Sequence, residues 1–98
     1  MARPLLHPSK ILADEIQELG ISASELARSL YIPPNRITQI LNGQRGMTAD
    51  TALRLGYWLR TRAELWLNLQ KVYELKLSEQ LAGAEIQATI TSRLSLHQ

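Results

Sequence analysis

The chain has 98 residues, 45% of them hydrophobic and 20% charged, which is typical of one small globular domain rather than a disordered chain. It contains no cysteine, which excludes a disulfide framework, a thiolate zinc site and a cysteine nucleophile. A formal net charge of +2 is too small for a protein that coats nucleic acid through charge alone. No apolar run suits a signal peptide or a membrane span, so we expect a cytoplasmic protein with no membrane partner.

The first third of the chain carries two helix patterns separated by a glycine. Pro8 suits a first helical position, and apolar residues recur at helical spacing until Gly20 provides a C-terminal cap. Ser22 and Glu25 then form a capping-box pattern that opens a second helix. That helix must stop before Pro33, because proline removes a backbone donor and restricts the residue before it.

The next break is three residues long, from Tyr31 to Pro33. Pro34 starts a third helix at its first position, and this helix ends at Asn42 and Gly43. Two helices joined by so short a turn, over residues 23–42, match the helix-turn-helix layout of DNA-binding proteins. An ordinary helical hairpin with no DNA role is the alternative interpretation.

Two further helices follow in the second half of the chain. Thr48 is the predicted cap of the fourth helix. Thr61 and Glu64 form a second capping-box pattern, which opens the fifth and longest helix. Trp66 and Leu69 lie on the apolar stripe of that helix, so we expect them to pack in the core. The predicted fold class is therefore all-α with five helices.

The segment after Gly83 changes its pattern. Apolar and polar residues alternate between Ile86 and Leu96, which predicts a short β-strand, although a short helix also fits. A lone strand would have to pair with a second copy of the chain, which suggests a dimer. We therefore divide the chain into a repressor-like domain, residues 1–82, and a C-terminal extension, residues 83–98.

The outward side chains of the third helix indicate how such a motif would read DNA. They are uncharged and polar, and they are the candidate base contacts: Asn35, Thr38, Gln39 and Asn42. Asparagine and glutamine can hydrogen-bond adenine bidentately, while threonine offers a hydroxyl and a methyl group that meets thymine. No acidic residue occurs between Leu26 and Ala49, as expected for a surface that approaches phosphates.

Four residues around this helix are candidate phosphate contacts: Ser22, Arg28, Arg36 and Arg45. Arg54 is a further candidate. Ser22 and the free amides that open the second helix suit one phosphate, and Arg45 in the following loop suits another. Solvated arginines with no ligand are the alternative.

Three segments of the sequence resemble the HigA family, also called VapI-like, of antitoxins from toxin–antitoxin modules. They are "HPSKIL", "LARSLYIPPNRITQILNGQRGMTADTALRL" and "ELWLNLQKVYEL", within His7 to Leu77. The resemblance implies the five-helix fold of phage-type repressors. It also implies two partners besides a second copy of the chain: operator DNA and a HigB-type, RelE-like toxin that cleaves mRNA. The sequence assigns no residues to toxin binding.

Tyr31 departs from the motif, whose turn often carries glycine in a left-handed conformation. A tyrosine with positive φ would cost roughly 1–2 kcal/mol relative to glycine. We therefore expect either that Tyr31 avoids this conformation or that packing of its ring compensates, and that Tyr31→Gly leaves the fold intact.

Other function classes fit the sequence less well. The two histidines, His7 and His97, lie at opposite ends, so we expect no metal, no cofactor and no catalytic site. A stand-alone helix-turn-helix repressor without a toxin partner, and a binding module that has lost DNA, stay open as alternatives.

Overall fold

A computed structural model of the chain describes residues 7–94, which form five α-helices. The helices are α1 (Pro8–Leu19), α2 (Ala23–Leu30), α3 (Pro34–Leu41), α4 (Ala49–Leu59) and α5 (Ala63–Thr89). The predicted all-α class and the order of the helices are confirmed. None of the described helices is long and apolar enough to cross a membrane.

The first helix boundaries follow from the local cap chemistry. Gly20 closes α1 with φ of 68°, a left-handed conformation that costs glycine little. At the start of α2, the Glu25 N–H donates to Ser22 Oγ at 3.1 Å, and the Ser22 N–H donates to Glu25 Oε1 at 3.2 Å. Both halves of the predicted capping box are therefore present.

Tyr31 closes α2 in a left-handed conformation, with φ of 58° and ψ of 44°. Its side chain is 89% exposed, so packing of the ring does not offset the strain. Both alternatives, that Tyr31 avoids this conformation and that its ring packs, were therefore wrong, while the outcome of Tyr31→Gly stays a prediction. The conformation instead completes a Schellman cap, in which the Tyr31 N–H donates to the Arg28 carbonyl and the Ile32 N–H donates to the Ala27 carbonyl. These bonds satisfy carbonyls that the helix end would otherwise leave unpaired.

The core lies where α2 and α3 meet the other helices. Its buried apolar side chains are Leu12, Leu26, Ala27, Leu30, Ile32, Ile37, Ile40, Met47, Ala52, Leu55 and Trp66. Ala27 is fully buried, as expected for a small residue where α2 and α3 pack closely. The helix-turn-helix segment therefore forms the centre of the domain, since it supplies six of these side chains: Leu26, Ala27, Leu30, Ile32, Ile37 and Ile40.

The start of α5 differs from the prediction. Arg62, not Thr61, is the N-cap residue, and it makes no side-chain cap hydrogen bond. Thr61 Oγ1 instead accepts the indole N–H of Trp66 at 3.1 Å. The predicted capping box was wrong here, because the hydroxyl is used to satisfy the polar atom of a buried tryptophan.

The strand predicted after residue 83 was also wrong for the residues that the structure describes. The last helix, α5, crosses Gly83 without a break and ends at Thr89, and positions 83–94 contain no strand. A helix that already has several turns extends without a new nucleation step, and it pairs its own backbone groups. Residues 95 and 96 of the predicted strand lie outside the described residues, and the division at 82/83 stays a prediction.

Candidate nucleic-acid interface

One face of α3 carries the four candidate base contacts. Asn35, Thr38 and Asn42 are exposed, and Gln39 is half-buried beside them. Their spacing of three and four residues places them on one side of the helix, opposite the buried Ile37 and Ile40. The Thr38 hydroxyl donates to the Pro34 carbonyl at 3.2 Å, which leaves its oxygen and methyl group available to a ligand. The four side chains therefore share one accessible face of α3, and their contacts with bases stay predictions.

The loop after α3 is anchored at both of its ends. The N–H groups of Gln44 and Arg45 donate to the Gln39 carbonyl at 2.8 and 3.2 Å. The Met47 N–H donates to Oε1 of the buried Gln70 at 2.9 Å. The backbone of Arg45 is thereby held next to the end of α3, while its side chain is exposed. A guanidinium in this position suits a phosphate that flanks the helix.

The start of α2 is less open to a phosphate than the sequence suggested. The capping box uses the Ser22 N–H and the Glu25 N–H, and it brings the Glu25 carboxylate to the same helix end. A phosphate at Ser22 would meet this negative charge. Ser22 and Arg28 are both exposed, and their phosphate contacts stay predictions.

Arg36 and Arg54 share a carboxylate. Asp50 Oδ2 accepts from Arg36 Nη1 at 2.7 Å and from Arg54 Nε at 3.0 Å. The hydrogen bond from Arg54, with a further contribution from Arg36, lowers the pKa of Asp50 below its ordinary value of 3.8. Arg54 Nη1 also donates to the Leu30 carbonyl at 2.8 Å, at the end of α2.

Sequence reasoning missed the roles of Asp50 and Gln70 in this interface. The four-residue spacing of Asp50 and Arg54 was a visible sign of one ion pair. The pair between Arg36 and Asp50 spans fourteen positions, and it depends on how α3 and α4 are placed. Gln70 gave no signal beyond being a polar residue on an apolar stripe.

Several known proteins are similar to this chain in sequence and in fold. No family model matches the chain. Virulence-associated protein I of Dichelobacter nodosus is 47% identical over 78 residues, which cover 79% of this chain and 72% of that protein. The solved structure of an addiction module antidote protein of the HigA family from Coxiella burnetii is 46% identical, with a TM-score of 0.89. The match covers 92% of this chain and 99% of the C. burnetii chain.

The chain belongs to the HigA family. A second HigA structure, the Pseudomonas aeruginosa antitoxin with the higBA promoter, is 37% identical with a TM-score of 0.88. It covers 92% of this chain and 99% of that chain. The resemblance predicted from three sequence segments is thus confirmed over nearly the whole fold. Members of this family are helix-turn-helix antitoxins and not enzymes.

Proposed function

We propose that this chain is a cytoplasmic antitoxin that represses its own operon as a dimer and neutralises a HigB-type, RelE-like mRNA-cleaving toxin. The observation that carries the proposal is the uncharged polar face of α3, set in the helix-turn-helix of a HigA-family fold. A stand-alone repressor is the alternative, and it differs only in lacking the toxin.

The DNA half of the proposal rests on the chemistry of α3 and its surroundings. Asn35, Gln39 and Asn42 are side chains that pair with base edges in the major groove, and Thr38 adds a methyl group. Phosphates on either side would be held by the groups predicted from sequence: Ser22, Arg28, Arg45 and, in a complex where it leaves Asp50, Arg36. The P. aeruginosa relative solved with a promoter supports this use of the fold.

Footprinting tests the DNA half. The chain is incubated with duplex DNA from upstream of its own reading frame, and with a scrambled duplex of equal composition. We expect protection of two half-sites about 34 Å apart, or a multiple of that distance, on the first duplex. Equal binding to the scrambled duplex would contradict sequence-specific repression.

The dimer half rests on the outer face of α5. Leu75 is 61% exposed, and Ile86 is also exposed eleven positions later on the same side of the helix. If two α5 helices run antiparallel and cross near residues 80–81, Leu75 of one copy faces Ile86 of the other. The apolar positions of this register complement themselves, as a two-fold contact requires. This surface replaces the strand as the proposed dimer contact.

Sedimentation measures the dimer directly. We expect Leu75→Glu to shift the chain from dimer to monomer, because it buries a carboxylate against the second copy. Leu19→Glu is a matched control, since Leu19 is a partly exposed leucine on α1. If the Leu75→Glu chain still sediments as a dimer, the dimer interface lies elsewhere on the molecule.

Co-purification separates the antitoxin from the stand-alone repressor. The tagged chain is expressed with the product of the reading frame next to its own gene. We expect a stable complex and relief of that product's mRNA cleavage. DNA binding without any such complex would favour the stand-alone repressor.

A further inference from the structure

A single carboxylate oxygen connects three helices next to the face of α3 that carries the candidate base contacts. Asp50, in the first turn of α4, accepts from Arg36 on α3 and from Arg54 one turn further along α4. Arg54 continues the network to the carbonyl of Leu30, the last residue of α2. The ends of α2, α3 and α4 are thereby joined through hydrogen bonds to charged groups.

The network bears on the orientation of α3 because that helix has few other attachments to α4. It packs mainly on α2 and α1, whereas α4 packs mainly on α5 and α2. Moreover, α3 has eight residues and no side-chain hydrogen bond at its N-cap, Pro33. The bond between Arg36 and Asp50 therefore links α3 directly to α4.

The same bond makes the positive charge of Arg36 less available to a DNA phosphate. Arg36 is the one arginine of α3, and its guanidinium is matched by a carboxylate at 2.7 Å. A phosphate must displace Asp50 to obtain that guanidinium. The side chains left on the outer face are uncharged, and they distinguish bases rather than attract any duplex.

We propose that Asp50 is a specificity-determining residue of DNA recognition. It positions α3 through Arg36, and it keeps that arginine from supplying sequence-independent phosphate binding. The inference rests on the proposed DNA-reading function. Arg36 then contacts phosphate only in a complex that also displaces Asp50.

Salt-dependent binding of two duplexes tests this role. One duplex carries the consensus that the wild-type chain selects from a randomised library, and the other is a scrambled duplex. For Asp50→Asn we expect the slope of log affinity against log salt on the scrambled duplex to steepen by about 0.9, the value for one phosphate contact. The ratio of consensus to scrambled affinity should fall roughly tenfold, the size of one lost base contact.

Two further variants separate this role from a general loss of structure. Arg36→Gln alone should weaken binding to the consensus duplex, where Arg36 can leave Asp50 for a phosphate. It should leave the slope on the scrambled duplex unchanged, because Asp50 holds the guanidinium there. Arg36→Gln combined with Asp50→Asn should restore the wild-type slope, because Arg54, the second partner of Asp50, is also held by the Leu30 carbonyl at 2.8 Å. Glu64→Gln is the matched control, since Glu64 is another exposed carboxylate paired with an arginine, at 3.6 Å from Arg62. It should change neither the slope nor the ratio.

Several outcomes overturn the inference. An unchanged slope and ratio in Asp50→Asn would do so, as would a slope that flattens in Arg36→Gln alone. If Glu64→Gln steepens the slope as much as Asp50→Asn does, the effect comes from net charge alone and not from the position of Asp50. If the wild-type chain selects no consensus, the proposed DNA-reading function fails first and the role of Asp50 falls with it.

Discussion

Gln70 Oε1 accepts the backbone N–H of Met47 at 2.9 Å, so α5 holds the loop that follows α3. The amide of Gln70 is buried, and its Nε2 donates to Glu74 at 3.0 Å. A Cβ at Gly46 would lie 3.3 Å from the Gln70 amide, which shows how closely the loop approaches this side chain. The position of Arg45 thus depends on a residue of another helix.

We expect Gln70→Leu to lower the free energy of unfolding by about 1–3 kcal/mol, because the Met47 N–H loses its acceptor in a buried place. Urea unfolding monitored by circular dichroism measures the change. Gln80→Leu is the control, since Gln80 lies exposed on the same helix and should change stability little. Equal stability of Gln70→Leu and wild type would mean that the loop finds another acceptor.

Tyr31→Gly should stabilise the chain. Glycine relieves about 1–2 kcal/mol of left-handed strain, and the greater freedom of the unfolded chain returns about 0.4–1 kcal/mol. The ring is largely exposed, so little packing is lost. We therefore expect a net gain of at most about 1.6 kcal/mol, measured by urea unfolding. Tyr31→Ala keeps the strain and should show no gain; an equal gain in both variants would assign the effect to the ring instead.

The features that were predictable from sequence depend on neighbouring residues. The Ser22–Glu25 box and Gly20 act within one helical turn, so their residue types determine the outcome. The polar face of α3 follows from helical periodicity once Pro34 sets its start. These local rules were sufficient to predict the helix-turn-helix and its outward side chains.

The features that sequence reasoning missed depend on tertiary contacts. The pair between Arg36 and Asp50 needs two helices to be placed before it can be seen. Thr61 has the residue type of a cap, but its hydroxyl is taken by Trp66, which is buried. The alternation after Gly83 fits a strand, and the choice of helix follows from the preceding turns of α5.

The ion pairs of Asp50 should depend on pH in acid. Its pKa is lowered, chiefly by the hydrogen bond from Arg54, so these pairs stabilise the fold above the ordinary value of 3.8. The contribution is lost as pH falls through the lowered folded pKa. We expect the stability difference between wild type and Asp50→Asn to be constant from neutral pH down to about 4 and to shrink below that value. Urea unfolding across this range measures it, and a difference that already vanishes near neutral pH would contradict the pairing.

Gln39→Ala and Arg45→Ala should weaken DNA binding in different ways. Gln39 is a candidate base contact, so its loss should cost about 1–3 kcal/mol on the operator and relax the preference at one base pair. Arg45 is a candidate phosphate contact, so its loss should weaken all duplexes alike and flatten the salt slope by about one unit. Titrations at several salt concentrations, on the operator and on single-base variants, separate the two effects. Gln39 lies on α3 and Arg45 lies in the loop that follows it. If both substitutions leave operator binding unaltered, the DNA-reading surface therefore lies elsewhere on the molecule.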